Sequence, residues 1–167
     1  MNLPRHLMLG LGLLAGPALA APPAPAPRLS AAEQAAAFRA AGFTRTAGQW
    51  RACGDPGTAS YRPGEIESVA DRNGDGLPEA VITEGGTYCF GMTGGGFSLV
   101  SKQPGGSWRL MAGGQGIANF LTTRGVGGWP DIEIGGPGFC FPVERWNGRQ
   151  YVLHRHQYQG KRCQPAS

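Results

Sequence analysis

The segment from Asp71 to Glu79 carries oxygen ligands at alternate positions around two glycines. The side chains of Asp71, Asn73 and Asp75 stand at its first, third and fifth positions, the Leu77 carbonyl at the seventh and Glu79 at the ninth. Calcium takes six to eight oxygens, and a short loop supplies them when alternate residues turn inward. The spacing therefore predicts a calcium loop. A solvated turn is the alternative, because Asn-Gly-Asp-Gly is also good turn chemistry.

A helix-loop-helix calcium motif does not fit this segment, because its twelfth position is Ile82, which has no side-chain oxygen. The flanking runs 66–69 and 80–82 have the composition of strands. The pattern resembles the DxNxDGxx[DE] loops between strands of FG-GAP/VCBS-type repeats, the calcium-binding β repeats of integrin-like propellers and bacterial exported proteins. The resemblance implies a calcium ion held by Asp71, Asn73, Asp75, the Leu77 carbonyl and Glu79.

Two related units recur along the chain, over about 65–112 and 126–158. The segment Leu77-Pro78-Glu79 corresponds to Trp129-Pro130-Asp131, and Tyr88-Cys89-Phe90 corresponds to Phe139-Cys140-Phe141. Chance similarity in a glycine-rich chain is the alternative to a repeat. The second unit keeps the ninth-position acid and has lost the acids at the first, third and fifth positions, so we expect one ion per chain.

Each unit is predicted to be a β-meander, so the expected fold class is mainly β: antiparallel β-meander repeats, partial-propeller or barrel-like, with one short N-terminal helix. A capping box at Ser30 and Glu33 and a glycine at position 42 predict that helix over about 31–41, lying against the edge of a sheet. The expected strands are Gln49–Ala52, Glu65–Ala70, Glu79–Thr83, Thr87–Phe90, Phe97–Ser101, Ser107–Met111, Ile132–Ile134, Phe139–Arg145 and Gln150–His156.

The N-terminus has the features of a secretory signal peptide: basic residues, an apolar run from Leu7 to Leu14, and small residues that end at Ala20. Cleavage after Ala20 would leave a Pro/Ala-rich linker over 21–29, a single β-rich domain over 30–167, and no membrane span. We therefore expect a periplasmic or secreted protein. The formal net charge is +4 and the arginines are scattered, which argues against a nucleic-acid partner.

Cys53, Cys89, Cys140 and Cys163 make an even number of cysteines, without a CxxC spacing, in a chain expected to be exported. Two disulfides are therefore expected in preference to a zinc site. Four cysteines allow three pairings. Pairing between sequence neighbours, Cys53 with Cys89 and Cys140 with Cys163, is favoured, although the sequence does not exclude a bond between Cys89 and Cys140.

Other residues could also do chemistry. His154 and His156 are expected on one strand face and could hold a transition metal or sense pH, although two ligands without a third are usually a surface pair. Glu84 and Glu133 could form an acid–base pair, but nothing in the sequence fixes their separation. No catalytic motif such as GxSxG or HExxH is present.

The aromatic residues at the matched positions of the two units are expected mostly in the core. Both aromatics of Tyr88-Cys89-Phe90, and both of Phe139-Cys140-Phe141, would share a strand face and could line a groove for a ligand. The sequence thus favours a calcium-stabilised binding module for an unknown protein, peptide or glycan ligand. A small exported hydrolase with a calcium-supported pocket and a structural envelope component are the alternatives.

Overall fold

The computed structural model describes residues 28–165. The predicted signal peptide and nearly all of the linker lie outside these residues. Helix α1 spans Ala31–Ala40 and begins at the predicted capping box. The Ser30 amide donates to Glu33 Oε2 over 3.0 Å, and the Glu33 amide donates to Ser30 Oγ over 3.3 Å. These two bonds satisfy amides that the first turn of a helix leaves unpaired, so the start of α1 is determined locally.

Eleven strands and a second short helix follow within the described residues. They are β1 (Thr44–Thr46), β2 (Gln49–Arg51), β3 (Arg62–Ala70), β4 (Glu79–Gly85), α2 (Thr87–Phe90), β5 (Gly95–Lys102), β6 (Trp108–Gln115), β7 (Ile117–Arg124), β8 (Pro130–Gly135), β9 (Phe141–Trp146), β10 (Tyr151–Tyr158) and β11 (Lys161–Arg162). Short 3₁₀ turns lie at Gly91–Thr93 and Val126–Gly128.

The strands form two sheets in which every neighbouring pair is antiparallel. The first sheet has the order β1-β2-β3-β4-β5-β6, and the second has the order β11-β10-β9-β8-β7. Both contain a four-stranded meander, β3 to β6 in one and β7 to β10 in the other. The mainly β, meander-built fold class is confirmed, with one sheet curled like half a barrel. The second meander begins at Ile117, ahead of the expected start near residue 126.

The two sheets pack face to face around one apolar cluster. Val81, Phe97 and Leu99 of the first sheet meet Ile132 and Trp146 of the second. The opposite face of the first sheet is covered by α1, because Ala80, Ile82 and Val100 pack with Ala37 and Phe38. The helix therefore lies on a face of the sheet, and the expectation that it lies at an edge is wrong. Its thin apolar face suffices because Phe38 stacks on the Trp50 ring with centroids 4.8 Å apart.

Two expected strands differ from the structure. Thr87–Phe90 is a helical turn, closed by a hydrogen bond of 3.0 Å from the Phe90 amide to the Gly86 carbonyl. The expected strand Phe139–Arg145 begins only at Phe141, because Cys140 has a positive φ of 69° that leaves the ladder. The expectation that the aromatics of each trio share a strand face is therefore wrong. Tyr88 and Phe139 are instead 64% and 74% exposed.

Both disulfides join the predicted neighbours, Cys53 to Cys89 and Cys140 to Cys163. All four cysteines are thus paired. Cys89 and Cys140 lie in the same place in the two meanders, the connection between the second and third strands. Two disulfides are consistent with an oxidising compartment. In the described part of the chain, no helix combines the length and the apolarity that a membrane crossing requires.

Candidate functional site

The loop from Asp71 to Pro78 joins β3 to β4 and is organised by the Asp71 carboxylate. Its Oδ1 accepts a hydrogen bond of 2.7 Å from the Gly74 amide, and its Oδ2 accepts one of 2.9 Å from the Gly76 amide. An aspartate that accepts from amides further along the chain turns the backbone toward itself. The first-position acid of the predicted calcium loop therefore lies on the inner side of the turn.

Asn73 and Asp75 also turn toward the loop. The Asp75 amide donates to Asn73 Oδ1 over 3.0 Å, and Asn73 Nδ2 donates to Asp75 Oδ2 over 2.9 Å. The Leu77 amide donates to Asp75 Oδ1 over 2.8 Å. Each of the three alternating side chains thus has an oxygen engaged by a donor of the loop itself. These hydrogen bonds hold the loop in a turn around its own side chains.

Glu79 is the first residue of β4 and is 0% exposed. Its Oε2 accepts from the Arg72 amide over 2.7 Å, and its Oε1 accepts from Ser101 Oγ over 2.9 Å. Burial raises the pKa of the Glu79 carboxyl, and the nearby charges of Asp75 and Asp71 raise it further against the two hydrogen bonds. Glu79 is therefore a buried carboxyl close to two others.

No side chain among residues 28–165 forms an ion pair with Glu79. The Arg72 guanidinium is close enough for the charge of Glu79 to act on its pKa, but its direct contacts are with other residues. It lies 3.9 Å from the centroid of the Phe120 ring and donates to Ser68 Oγ over 2.7 Å. Glu79 thus lacks the directly paired cation that a buried carboxylate requires.

The loop residues fit calcium by the chemistry of their donors. The set offers carboxylates, one amide oxygen and one backbone carbonyl, all hard oxygen ligands. Residues 28–165 contain no preformed cluster of three or more carboxylate, imidazole or thiolate groups arranged to hold a metal. The calcium assignment therefore stays a prediction.

Asp131, the acid aligned with Glu79 in the second unit, is also 0% exposed, but it is surrounded by positive charge. Its Oδ1 accepts from Arg145 Nε over 2.8 Å, and its Oδ2 accepts from Arg145 Nη2 over 2.8 Å and from Arg155 Nη1 over 3.0 Å. Thr123 Oγ1 donates to the same oxygen over 2.6 Å. Burial alone would raise the pKa of Asp131, but these donors hold it below its usual 3.8.

The aligned acids face opposite sides of their sheets. Glu79 alternates with Val81, which packs between the sheets, so Glu79 lies on the inner face. Asp131 precedes Ile132, which packs on that same inner cluster, so Asp131 lies on the outer face of the second sheet. The correspondence drawn from the sequence therefore holds for the order of the strands and not for the direction in which the two acids point.

The loop after β7 touches the candidate calcium loop. A Cβ atom on Gly128 would lie 2.5 Å from the Asn73 carbonyl oxygen, so only a glycine allows this approach. Arg124 Nη1 donates to the Arg72 carbonyl over 2.8 Å and also contacts the Gly128 carbonyl. The two corresponding loops of the two units thus support each other, a contact that the sequence did not indicate.

The remaining predicted candidates do not come together with this site. Glu84 accepts from Tyr61 Oη over 2.6 Å and from the amides of Ala52 and Cys53, which ties the disulfide segment to β4. Glu133, on the second sheet, accepts from Gln157 Nε2 over 2.7 Å. The two glutamates share no hydrogen-bond partner, and each has a structural role.

His154 is exposed and His156 is half-buried on β10. A β-bulge between Leu153 and Arg155 interrupts the alternation on which the expectation of a shared face depended. Burial, followed by the charges of Arg145 and Arg155, lowers the pKa of His154. Its surroundings are therefore positively charged.

Sequence reasoning did not predict the hydrogen-bond network around the buried Asp131 carboxylate. The four partner atoms belong to three other strands, so no local spacing marks them; the only available signal was the retained ninth-position acid.

Comparisons of the chain with protein-family models, with curated proteins and with solved structures found no match.

Proposed function

We propose that this chain is an exported binding module whose β3–β4 corner is stabilised by one calcium ion. The ion would be held by Asp71, Asn73, Asp75, the Leu77 carbonyl and Glu79. The observation that carries the proposal is the contrast between two fully buried acids. Asp131 has two arginines as partners, whereas Glu79 has no ion pair among the described residues and lies beside two further carboxylates.

A small ion suits the position of Glu79 better than a basic side chain does. Glu79 lies on the inner face of its sheet, opposite Ser101, which is 1% exposed. The Arg72 guanidinium lies nearby but forms no ion pair with Glu79, while an ion could be coordinated from the end of the loop. The resemblance of the loop to FG-GAP/VCBS-type repeats supports the same ion. The role proposed for calcium is to fix the corner between strands.

Denaturant unfolding with and without calcium tests this proposal. Extracellular modules bind calcium with a Kd of about 10⁻⁴–10⁻³ M, so about 10 mM calcium should stabilise the fold by about 1.4–2.7 kcal/mol. The double variant Asp71→Asn/Asp75→Asn should lose this gain. The control Glu65→Gln, an exposed acid on β3, should keep it. Equal calcium responses of the wild type and the double variant would refute the proposal.

Glu79→Gln provides a sharper test, because its effect should change sign. In chelator the substitution removes a buried charge whose pKa is raised, so stability at pH 7 should be unchanged or increased. In calcium it removes a ligand, so the variant should be less stable than the wild type. A loss of the same size in both conditions would show that Glu79 has no link to an ion.

The proposed binding surface is an exposed aromatic group beside the second disulfide. Phe139 is 74% exposed and Tyr158 is 44% exposed, with ring centroids 6.2 Å apart. The ring centroid of Phe141 also lies 6.1 Å from that of Tyr158. Clustered exposed rings are typical of surfaces that bind a protein, a peptide or a glycan. The disulfide between Cys140 and Cys163 holds the rings in place.

Binding can be assayed with the mature protein on glycan and peptide arrays, and by capture from an envelope fraction with and without chelator. Phe139→Ser/Tyr158→Ser should remove binding that the wild type shows. Leu110→Ser, which alters an exposed apolar residue on β6, is the matched control and should bind normally. Equal binding by the aromatic variant and the control would exclude this surface.

Sequencing of the exported protein should give Ala21 as its first residue.

A further inference from the structure

Arg124, which contacts the candidate calcium loop, also lines a second charged region. A groove of about 440 Å³ opens between the turn after β7 and the β9–β10 hairpin. Its polar lining consists of Arg124, Arg145, Asn147 and His154, and its apolar walls include Val126 and Leu153. No acidic residue lines this groove.

The charge around the groove is positive on balance. Two acids lie on the strands beside it: Asp131, which is 0% exposed and is already bonded to Arg145 and Arg155, and Glu144, which stands opposite Leu153 in the pairing of β9 with β10. One carboxylate therefore faces two guanidiniums, and Arg124 adds a further positive charge. The lowered pKa of His154, caused by burial and then by the charges of Arg145 and Arg155, is consistent with a positive potential at this position.

The basic side chains have donors to spare. Asp131 uses Nε and Nη2 of Arg145, and the carbonyls of Arg72 and Gly128 use Nη1 of Arg124. Asn147 accepts two backbone hydrogen bonds through Oδ1, and its Nδ2 donates to no protein atom of residues 28–165. Each guanidinium is thus fixed by one edge and keeps another for a ligand, as a preorganised site requires.

The backbone around the groove is also tightly constrained. A Cβ atom on Gly125 would lie 2.3 Å from the Trp146 carbonyl oxygen, so the turn after β7 rests directly on the end of β9. The missing side chain of Gly125 thus allows the backbone of the turn to contact β9 along one wall of the groove.

We propose that this groove binds a tetrahedral oxyanion, such as a sulfate or phosphate group, through Arg124, Arg145, Asn147 and His154. Guanidinium edges and an amide match an anion that has several acceptor oxygens. The volume exceeds that of the anion itself, and the apolar walls offer contacts to a larger molecule that carries it. The group can be free in solution or attached to a saccharide, and the test below separates these sources.

The experiment is an NMR and calorimetric titration of the folded, disulfide-bonded protein at low ionic strength. The probes are inorganic sulfate and glucose 6-sulfate, added up to about 10 mM, above the millimolar Kd expected of a few charged contacts. We expect saturable shifts at Asn147 and His154. Tighter binding of glucose 6-sulfate would indicate an anion carried on a saccharide, and equal affinity a free anion; both results support the site.

Paired variants separate a built site from diffuse surface charge. Arg124→Gln should weaken binding about tenfold, the effect of losing one hydrogen bond from a charged group. Arg149→Gln removes an exposed arginine outside the groove and should leave the affinity unchanged. His154→Gln should weaken binding at pH 6, whereas His156→Gln should not. Arg145 is left unchanged in this test because it also holds the buried Asp131. Arg124 also bonds the carbonyls of Arg72 and Gly128, so unfolding curves of Arg124→Gln are recorded beside the titration, and His154→Gln provides the independent test.

The pKa of His154, followed by NMR in the folded protein, gives a second readout besides the affinity. The groups that act on it are Arg145 on β9, Arg155 on its own strand, Asp131 on β8 and Arg162 on β11. A bound anion should raise the pKa of His154 in the wild type, because it offsets the positive charges. The proposal is overturned if sulfate produces no saturable shifts in the groove, if chloride competes equally, or if Arg149→Gln weakens binding as much as Arg124→Gln.

Discussion

The substitution Asp131→Asn would test whether the arginines provide the charge balance of the second unit. The carboxylate is 0% exposed and accepts four hydrogen bonds, three of them from guanidinium groups. Asparagine keeps the shape of the side chain, but it removes the charge and turns an NH₂ group toward donors. Removing one partner of a buried ion pair costs about 3–5 kcal/mol. Arg145 and Arg155 keep side-chain exposures of 32% and 12%, so solvent moderates the loss. We expect about 3 kcal/mol.

The pH dependence of this loss follows from the direction of the pKa shift. The pKa of Asp131 is lower in the folded protein than its usual 3.8, so its contribution to stability is present above that value and is lost as pH falls below it. Asparagine does not titrate. The free-energy difference between wild type and variant should therefore be constant from about pH 5 to pH 7 and shrink below about pH 4.

The assay is urea unfolding at several pH values with the disulfides intact, in calcium and in chelator. The loss should be the same in both, because arginines and not an ion balance Asp131. Glu65→Gln, an exposed acid, should change stability by less than about 0.5 kcal/mol. A loss below about 1 kcal/mol for Asp131→Asn, or one that does not change with pH, would refute the reasoning.

Three further measurements follow from the structure. In Gly128→Ala the new Cβ would lie 2.5 Å from the Asn73 carbonyl oxygen, so the variant should bind calcium more weakly and should lose more stability in calcium than in chelator. Calorimetry measures the affinity, and denaturant unfolding measures the stability in each condition. Unchanged affinity would contradict the loop contact. Burial and the hydrogen bond to Glu84 raise the pKa of Tyr61 to about 12. Ultraviolet titration of Tyr61→Phe should therefore show one fewer tyrosine that ionises at high pH, and an unchanged titration curve would contradict this assignment. Cys163→Ser should cost about 2–4 kcal/mol in denaturant unfolding, and a loss near zero would show that the bridge constrains little.

The sequence predicted features that depend on neighbouring residues. The helix begins at Ser30 because the capping box is a local device, and the loop at Asp71 forms as a turn because aspartate and glycine spacing determines it. The strands β4 and β5 were predictable because each contains a short run rich in apolar and β-branched residues bounded by glycines, and most of their residues are buried. In each case the information lies within about ten residues.

Other features depend on contacts between distant segments and were not predictable. Thr87–Phe90 has the composition of a strand, but its cysteine is bonded to Cys53 and the segment closes as one helical turn. Strand β7 was missed although half of its eight residues are apolar, because five of the eight are exposed and its apolar residues do not alternate strictly with polar ones. The partners of Asp131 come from three strands and are at least ten residues apart along the chain, so no local pattern in the sequence groups them.

The placement of the two buried acids explains why one unit would need an ion and the other does not. Asp131 faces the uncovered side of its sheet, where arginine side chains can lie along the surface with their far ends in water. Glu79 faces the second sheet, and its cross-strand neighbour Ser101 is 1% exposed. The Arg72 guanidinium lies near Glu79 over the Phe120 ring but forms no ion pair with it. An ion could approach Glu79 from the β3–β4 corner, where the chain places Asp71, Asn73 and Asp75. The loss of acids from the second loop is then the expected consequence of an acid that points outward and is already paired with arginine.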